Sequence, residues 1–250
     1  MKKKLIYIFL FLIIYNSQAQ LYKGYVYYQK ESLKYLSKEE DFLKENEKQP
    51  DFLRNVSLID KNVKFILEDL RFELVFNKHE SIFKADEYLE LEKNRFFRAA
   101  LGPEGSAVYY NNLTEEVYLR QHDAYGEKFL IQTPKISWAH TNEVKKIGSY
   151  QCYKATAVVI TNGMNGIIKY NIVAWYAPEL SIPFGPLGFS GLPGLIMELE
   201  YQQTRYYVSK IDLSSKDKIE IKKPTQGKVV TKEEFDNIGN KIMKSLKNGF

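Results

Sequence analysis

Residues 155–176 read ATAVVITNGMNGIIKYNIVAWY. The arm from Ala155 to Ile160 is built of small and β-branched apolar residues. The arm from Ile167 to Tyr176 places Ile168, Tyr170, Ile172, Ala174 and Tyr176 at every second position. A period of two puts those five side chains on one face of a strand and Lys169 and Asn171 on the other. Between the arms, Thr161-Asn162-Gly163-Met164-Asn165-Gly166 carries two Asn-Gly pairs, which tolerate the positive φ of a tight reversal. The stretch predicts a β-hairpin with one buried and one wet face.

The same pattern recurs outward from it. Leu195, Met197, Leu199 and Tyr201 alternate with Glu198 and Glu200 and lead into a return arm from Arg205 to Ile211. Leu70, Phe72, Leu74 and Phe76 alternate with Arg71 and Glu73, and Ile82-Phe83 follows a turn-like Asn77–Ser81. Tyr22–Tyr28 reads as a strand, Val108–Tyr110 and Val117–Leu119 as a hairpin around Asn111-Asn112, and Phe129–Ile131 as a strand ended before Pro134. Residues 86–98 are charged and fit either loop or helix. Two capping boxes predict helices. Ser37-Lys38-Glu39-Glu40 opens a short polar one running to about Lys48 and stopped by Pro50. Thr231-Lys232-Glu233-Glu234 opens an amphipathic one with Phe235, Ile238, Ile242 and Leu246 on its stripe. The expected fold is mainly β: a curved antiparallel sheet or incomplete barrel, with a short polar helix near the N-terminus and an amphipathic C-terminal helix.

Residues 1–20, MKKKLIYIFLFLIIYNSQAQ, have three lysines, an apolar run from Leu5 to Tyr15 and a small, polar end. That is the pattern of a secretory signal peptide cut after Ala19 or Gln20. The run is shorter than the roughly 20 residues of a spanning helix. The remaining residues 21–250 are expected to form a single domain outside the cytoplasm, in the periplasm, at the outer membrane or beyond it, with no transmembrane segment. Lys2, Lys3 and Lys4 supply three of the five net positive charges. A nucleic-acid footprint is therefore not expected. The ten lysines and six acids of residues 210–250 read as a solvated face. Cys152 is the sole cysteine, so no intrachain disulfide forms, and its strand-like surroundings read as a small buried hydrophobe.

Residues 178–196, PELSIPFGPLGFSGLPGLI, carry glycines at 185, 188, 191 and 194 and prolines at 178, 183, 186 and 193. The pattern predicts a stiff connection that packs its leucines and phenylalanines onto the sheet. Pro193-Gly194 fits the centre of a type II turn with positive φ at the glycine. Here the chain resembles the GLPGLI family, secreted proteins of Bacteroidota-type bacteria. The resemblance rests on Gly191-Leu192-Pro193-Gly194-Leu195-Ile196, on Gly185-Pro186, on Trp138, on Ile147–Ala155 including Cys152, and on Ala174-Trp175-Tyr176. It extends to Phe76-Asn77, Ser81–Lys84, Lys223-Pro224 and Thr231–Phe235. It implies a β-rich envelope protein, in some cases encoded near TonB-dependent outer-membrane receptors, and it implies no catalytic mechanism.

Catalytic and metal signatures are weak. Ser190 in Gly188-Phe189-Ser190-Gly191 lacks the glycine two positions on that a nucleophile elbow needs, since Leu192 stands there. Cys152 and His140 are candidates for a thiolate pair only if the fold brings them together. His79, His122 and His140 are not paired at ligand spacing, and His122-Asp123 reads as an exposed turn. Glu115-Glu116 and Glu198/Glu200 read as solvated carboxylates, although the latter pair lies roughly 7 Å apart along a strand, within glycosidase range. The expectation is no catalytic set, no metal and no cofactor. It includes a binding or accessory role beside a TonB-dependent receptor or another envelope protein. The alternatives are a periplasmic carrier for a lipid or peptide, and a hydrolase with its site near Cys152 or the 185–194 loop. The 19 tyrosines offer apolar rings with hydroxyl tips, which suit sugar, peptide or partner surfaces.

Overall fold

A computed structural model describes residues 23–86, 91–213 and 219–248. The predicted signal peptide lies outside the described residues. Twelve strands form one sheet: β1 (Gly24–Ser32), β2 (Arg71–Phe76), β3 (Glu80–Ala85), β4 (Val108–Asn112), β5 (Val117–Ala124), β6 (Glu127–Gln132), β7 (Ala139–Ile147), β8 (Tyr150–Gly163), β9 (Gly166–Ala177), β10 (Leu195–Tyr201), β11 (Thr204–Asp212) and β12 (Lys228–Thr231). Their order across the sheet is β12-β6-β5-β4-β3-β2-β1-β11-β10-β9-β8-β7. Every pairing is antiparallel except β12 with β6, which is parallel. The helices are α1 (Glu40–Glu45), α2 (Pro50–Asp69), α3 (Phe97–Gly105) and α4 (Lys232–Asn248). The fold is thus mainly β, an open curved sheet with a C-terminal helix. Helix α4 packs on β12 and β6 at one end of the strand order and on β8 near the other, so the sheet is rolled far enough for one helix to bridge its ends.

The inner face carries the core. Leu70, Phe72, Leu74 and Phe76 are 0–1% exposed, as their alternation predicts, and each fully buried side chain contributes about 1.5–3 kcal/mol. Phe72 stacks on Phe83 at 5.6 Å and meets Tyr206 edge-on at 5.1 Å. The Tyr28 hydroxyl donates to the Ile196 carbonyl at 2.7 Å, joining β1 to β10 across β11. Beside this, buried Lys30 donates to the Ala100 and Leu101 carbonyls of α3 at 2.9 and 2.8 Å. Those carbonyls come free because α3 breaks at Gly102, with φ 62° and ψ 174°, ahead of Pro103. Burial pulls the Lys30 amine down to about 8, partly offset by Glu104.

Four sequence expectations change. Ser37 caps nothing: α1 starts at Glu40 without a side-chain cap and spans six residues. Pro50 starts a helix instead of stopping one. It stands at the first position of the 20-residue α2, where its fixed φ and missing N–H are harmless, and Val56, Ile66 and Leu67 form the buried stripe. The turn of the β8–β9 hairpin is tighter than residues 161–166, since pairing continues to Gly163 opposite Gly166 and only Met164-Asn165 are left over. In β10 the register shifts between Ile196 and Glu198. Met197 is the extra residue of a bulge, so Ile196, not Leu195 or Met197, shares the face of Leu199 and Tyr201. The C-terminal capping box does form, with Thr231 N–H donating to Glu234 Oε2 at 2.8 Å and Glu234 N–H donating to Thr231 Oγ1 at 3.2 Å. Of the α4 stripe, Phe235 is buried and Leu246 is 55% exposed, so only its first half docks.

Candidate functional site

Rolling the sheet leaves a cavity of about 480 Å³ between β4, β5 and residues 133–137 on one wall and β8–β10 on the other. Its floor is Leu187–Ser190 of the 178–194 connection, and Lys232, Phe235 and Asp236 of α4 close one end. Alternation on β5 turns Tyr118, Arg120 and His122 inward, opposite Asn111 and Tyr109 on β4 and opposite Phe129 and Ile131 on β6. Tyr170 and Tyr201 face them from β9 and β10, their rings edge-to-face at 5.9 Å, with Phe189 of the floor at 5.5 Å from Tyr201. The floor is pinned by Asn111, whose amide donates to the Gly188 carbonyl at 2.9 Å. Beside it Leu187, a residue with a Cβ, holds φ 56°.

The polar part of the lining is organised around Arg120, which is 7% exposed. Its Nη1 lies 3.3 Å from Glu104 Oε2 and its Nη2 donates to the Pro103 carbonyl at 3.1 Å. Glu104 also accepts from the Tyr109 hydroxyl at 2.7 Å, and the guanidinium lies 5.8 Å from the Tyr109 ring. The kink that frees the α3 carbonyls therefore also sets Pro103 and Glu104 against Arg120. His122, 9% exposed, is drawn down to about 4 by burial first and by the Arg120 charge second, so it is neutral near pH 7. Arg120 Nε and His122 Nδ1 are buried without a hydrogen-bond partner. At the α4 end, Lys232 and Asp236 pair at 2.6 Å.

The residues singled out in the sequence fall in three places. Gly185, Pro186, Leu192, Pro193, Gly194 and Leu195 build the floor connection and its junction with the sheet, and Leu192, Leu195 and Ile196 are 0–1% exposed. Gly191 has φ 91°. Gly194 does not take the positive φ expected of a type II turn. Glycine is required there because a Cβ would lie 2.3 Å from the Ala177 carbonyl oxygen. Ser190 is 7% exposed and borders the cavity, its carbonyl accepting from Trp138 Nε1 at 2.9 Å. Trp175 lies on the other face of β9, under Lys145 at 4.4 Å.

Cys152 is fully buried, on the face of β8 opposite to Tyr153 and Ala155. Desolvation pushes its thiol up to about 11 against the opposing pull of a backbone hydrogen bond at Ile147, and its Sγ lies 3.8 Å from the Tyr150 carbonyl. His140 instead contacts the Tyr176 hydroxyl at 3.2 Å, so the thiolate–imidazole pair is not assembled. Two expectations are corrected. His122 is not on an exposed turn but on a strand facing the cavity. Glu198 is not solvated: it is 8% exposed and bound to Lys145 at 2.7 Å, because the bulge at Met197 tucks it behind Trp175. Arg120 and Glu104 were not singled out, and Tyr109 and Tyr201 were read only as strand residues. Among the described residues no group of three or more His, Cys, Asp or Glu gathers as a metal set, and no helix is long and apolar enough to cross a membrane.

Comparison with known proteins adds little chemistry. A family model described as "Protein of unknown function (Porph_ging)" matches residues 164–198, the β9 arm, the floor connection and the start of β10. Comparison with curated proteins gives no match. Two solved structures of PNGF-II, in C2 and P21 space groups, align with TM-scores of 0.45 and 0.44, each at 13% identity. The alignments cover 88% and 87% of this chain and 32% and 33% of those, so the chain spans about a third of their length. At that score and identity the likeness bears on no function.

Proposed function

We propose that this is an exported envelope protein that holds a small ligand in its half-barrel without transforming it, as an accessory to a TonB-dependent outer-membrane transport system. The observation that carries the reading is the cavity: about 480 Å³, within the range of small-molecule sites, walled by rings and a few convergent polar groups. Export is supported by the pattern of residues 1–20, and the envelope setting by the resemblance to the GLPGLI family. Neither candidate nucleophile, Cys152 nor Ser190, is hydrogen-bonded through its side chain to a histidine among the described residues, which favours holding over hydrolysis.

Native mass spectrometry of protein purified from its own envelope tests the reading. A bound small molecule is expected, lost when Val159→Trp fills the cavity, together with co-purification of a transporter subunit. Ligand retention unaffected by that substitution, or release of a chemically altered product, would refute it.

A further inference from the structure

The lining restricts what the cavity can hold. Each of its charged side chains is already matched: Arg120 with Glu104, Lys232 with Asp236, and Lys135 with Glu116 at 3.0 Å. An incoming ion would find no unpaired counter-charge and would bring a buried charge of its own, which is costly. A purely apolar chain would lie against the carboxylate of Glu104, the guanidinium of Arg120 and the tyrosine hydroxyls without bonding them, which is also costly. The remaining chemistry is a molecule whose groups both donate and accept.

The polar strip of the wall is Tyr118, Arg120 and His122 at alternate positions of β5, with Arg120 Nε and His122 Nδ1 themselves enclosed behind it. A hydroxyl both donates and accepts, so it can bond the tyrosine hydroxyls of the same lining, those of Tyr118 and Tyr170, in either direction. Around this polar strip stand Tyr170, Tyr201 and Phe189, locked edge-to-face and so fixed at low entropic cost, with half-buried Tyr170 the most open of the three rings. Flat apolar faces with a hydroxyl-reading strip suit a ring that is apolar above and below and polar around its rim.

We infer that the cavity binds a neutral carbohydrate of one or two rings, an inference that rests on the ligand-holding reading above. The test screens the purified chain against an array of neutral, sialylated and sulfated glycans, with palmitate and a short neutral peptide in parallel native mass spectra. Retention of neutral glycans is expected, insensitive to salt, weakened about tenfold or more by Tyr170→Ala and abolished by Val159→Trp. Each variant is accepted only with the parent's unfolding midpoint. Retention confined to charged glycans overturns the inference. Palmitate or peptide bound in place of glycans, and displaced by Val159→Trp, also overturns it while leaving the ligand-holding reading intact. No cavity-dependent binding by any probe overturns both.

Discussion

Two glycines of the hexapeptide are expected to fail for different reasons when a methyl group is added, and the difference is measurable. At Gly194 the new Cβ would lie 2.3 Å from the Ala177 oxygen, 2.6 Å from its carbon and 2.8 Å from Pro178 Cα. All three are backbone atoms, so no side chain can swing away. Ordinary contact begins at 3.4 Å, so the β9 and β10 backbones must part by roughly 1 Å. Overpacking of that kind costs about 1–3 kcal/mol. The separation also threatens the bonds from Leu195 N–H to the Leu180 carbonyl, 3.0 Å, and from Ile196 N–H to the Phe184 carbonyl, 3.1 Å. Each contributes about 1 kcal/mol, so Gly194→Ala should cost roughly 3–5 kcal/mol. At Gly191 a Cβ meets nothing within 4 Å, and the penalty is only that of φ 91°, about 1–2 kcal/mol. Urea unfolding of both variants with unchanged m values checks the ranking. Asparagine, which tolerates positive φ, should restore part of the loss at 191 and deepen it at 194. Equal losses at the two sites, or rescue by asparagine at 194, would refute the distinction.

Further outcomes follow from the same geometry. Glu104→Gln or Arg120→Met alone should destabilise by about 3–5 kcal/mol, because each strands a buried charge, while the double variant should lose much less than the sum in a double-mutant cycle. His122, held near 4 against an ordinary 6.5, leaves the unfolded chain binding more protons between those values. Stability should therefore fall as the pH drops from about 6.5 to 4, by up to about 3 kcal/mol from this residue. Arg120 and Glu104 persist in the His122→Gln variant, whose profile should be flatter across that window. Cys152, buried with its thiol near 11, should resist iodoacetamide in the folded protein and react on unfolding. Rapid labelling at neutral pH under native conditions would contradict its placement.

The fold was legible where apolar side chains alternate against a solvated face. Leu70 to Phe76 and Ile168 to Tyr176 gave strands and faces correctly, although burial along β9 fades to 42% exposure at Ile168, where the hairpin outruns the core. Errors arose where one residue has two uses. Proline ends helices by lacking an N–H and starts them for the same reason. Pro50 could be assigned only by noticing that Val56, Val63, Ile66 and Leu67 continue a helical stripe beyond it. The bulge at Met197 left no mark either, since every residue from Leu195 to Leu199 except Glu198 is apolar and a one-residue slip exchanges faces unnoticed. Nor did the long-range parallel pairing of β12 with β6, which joins segments about a hundred residues apart.

The site was hidden by the same rule that revealed the fold. Reading alternation assigns apolar positions inward and polar positions to water, and a cavity reverses that assignment on its own walls. On β5, Leu119 is apolar and points outward, where it is buried in a small cluster with Tyr110 and Leu130. Arg120 and His122 are polar and point inward. Hydrophobic periodicity gives no net preference in such a strand, so Val117–Ala124 showed only its first three residues as strand. What makes Arg120 tolerable inside is Glu104 and the Pro103 carbonyl, supplied by the kinked end of α3, and no spacing along the chain announces that meeting. A strand whose inward and outward residues cannot be told apart by hydropathy is therefore itself a signal. In a rolled sheet it marks the wall where the interior is kept polar, here around an Arg120 whose buried charge is matched by Glu104 and the Pro103 carbonyl.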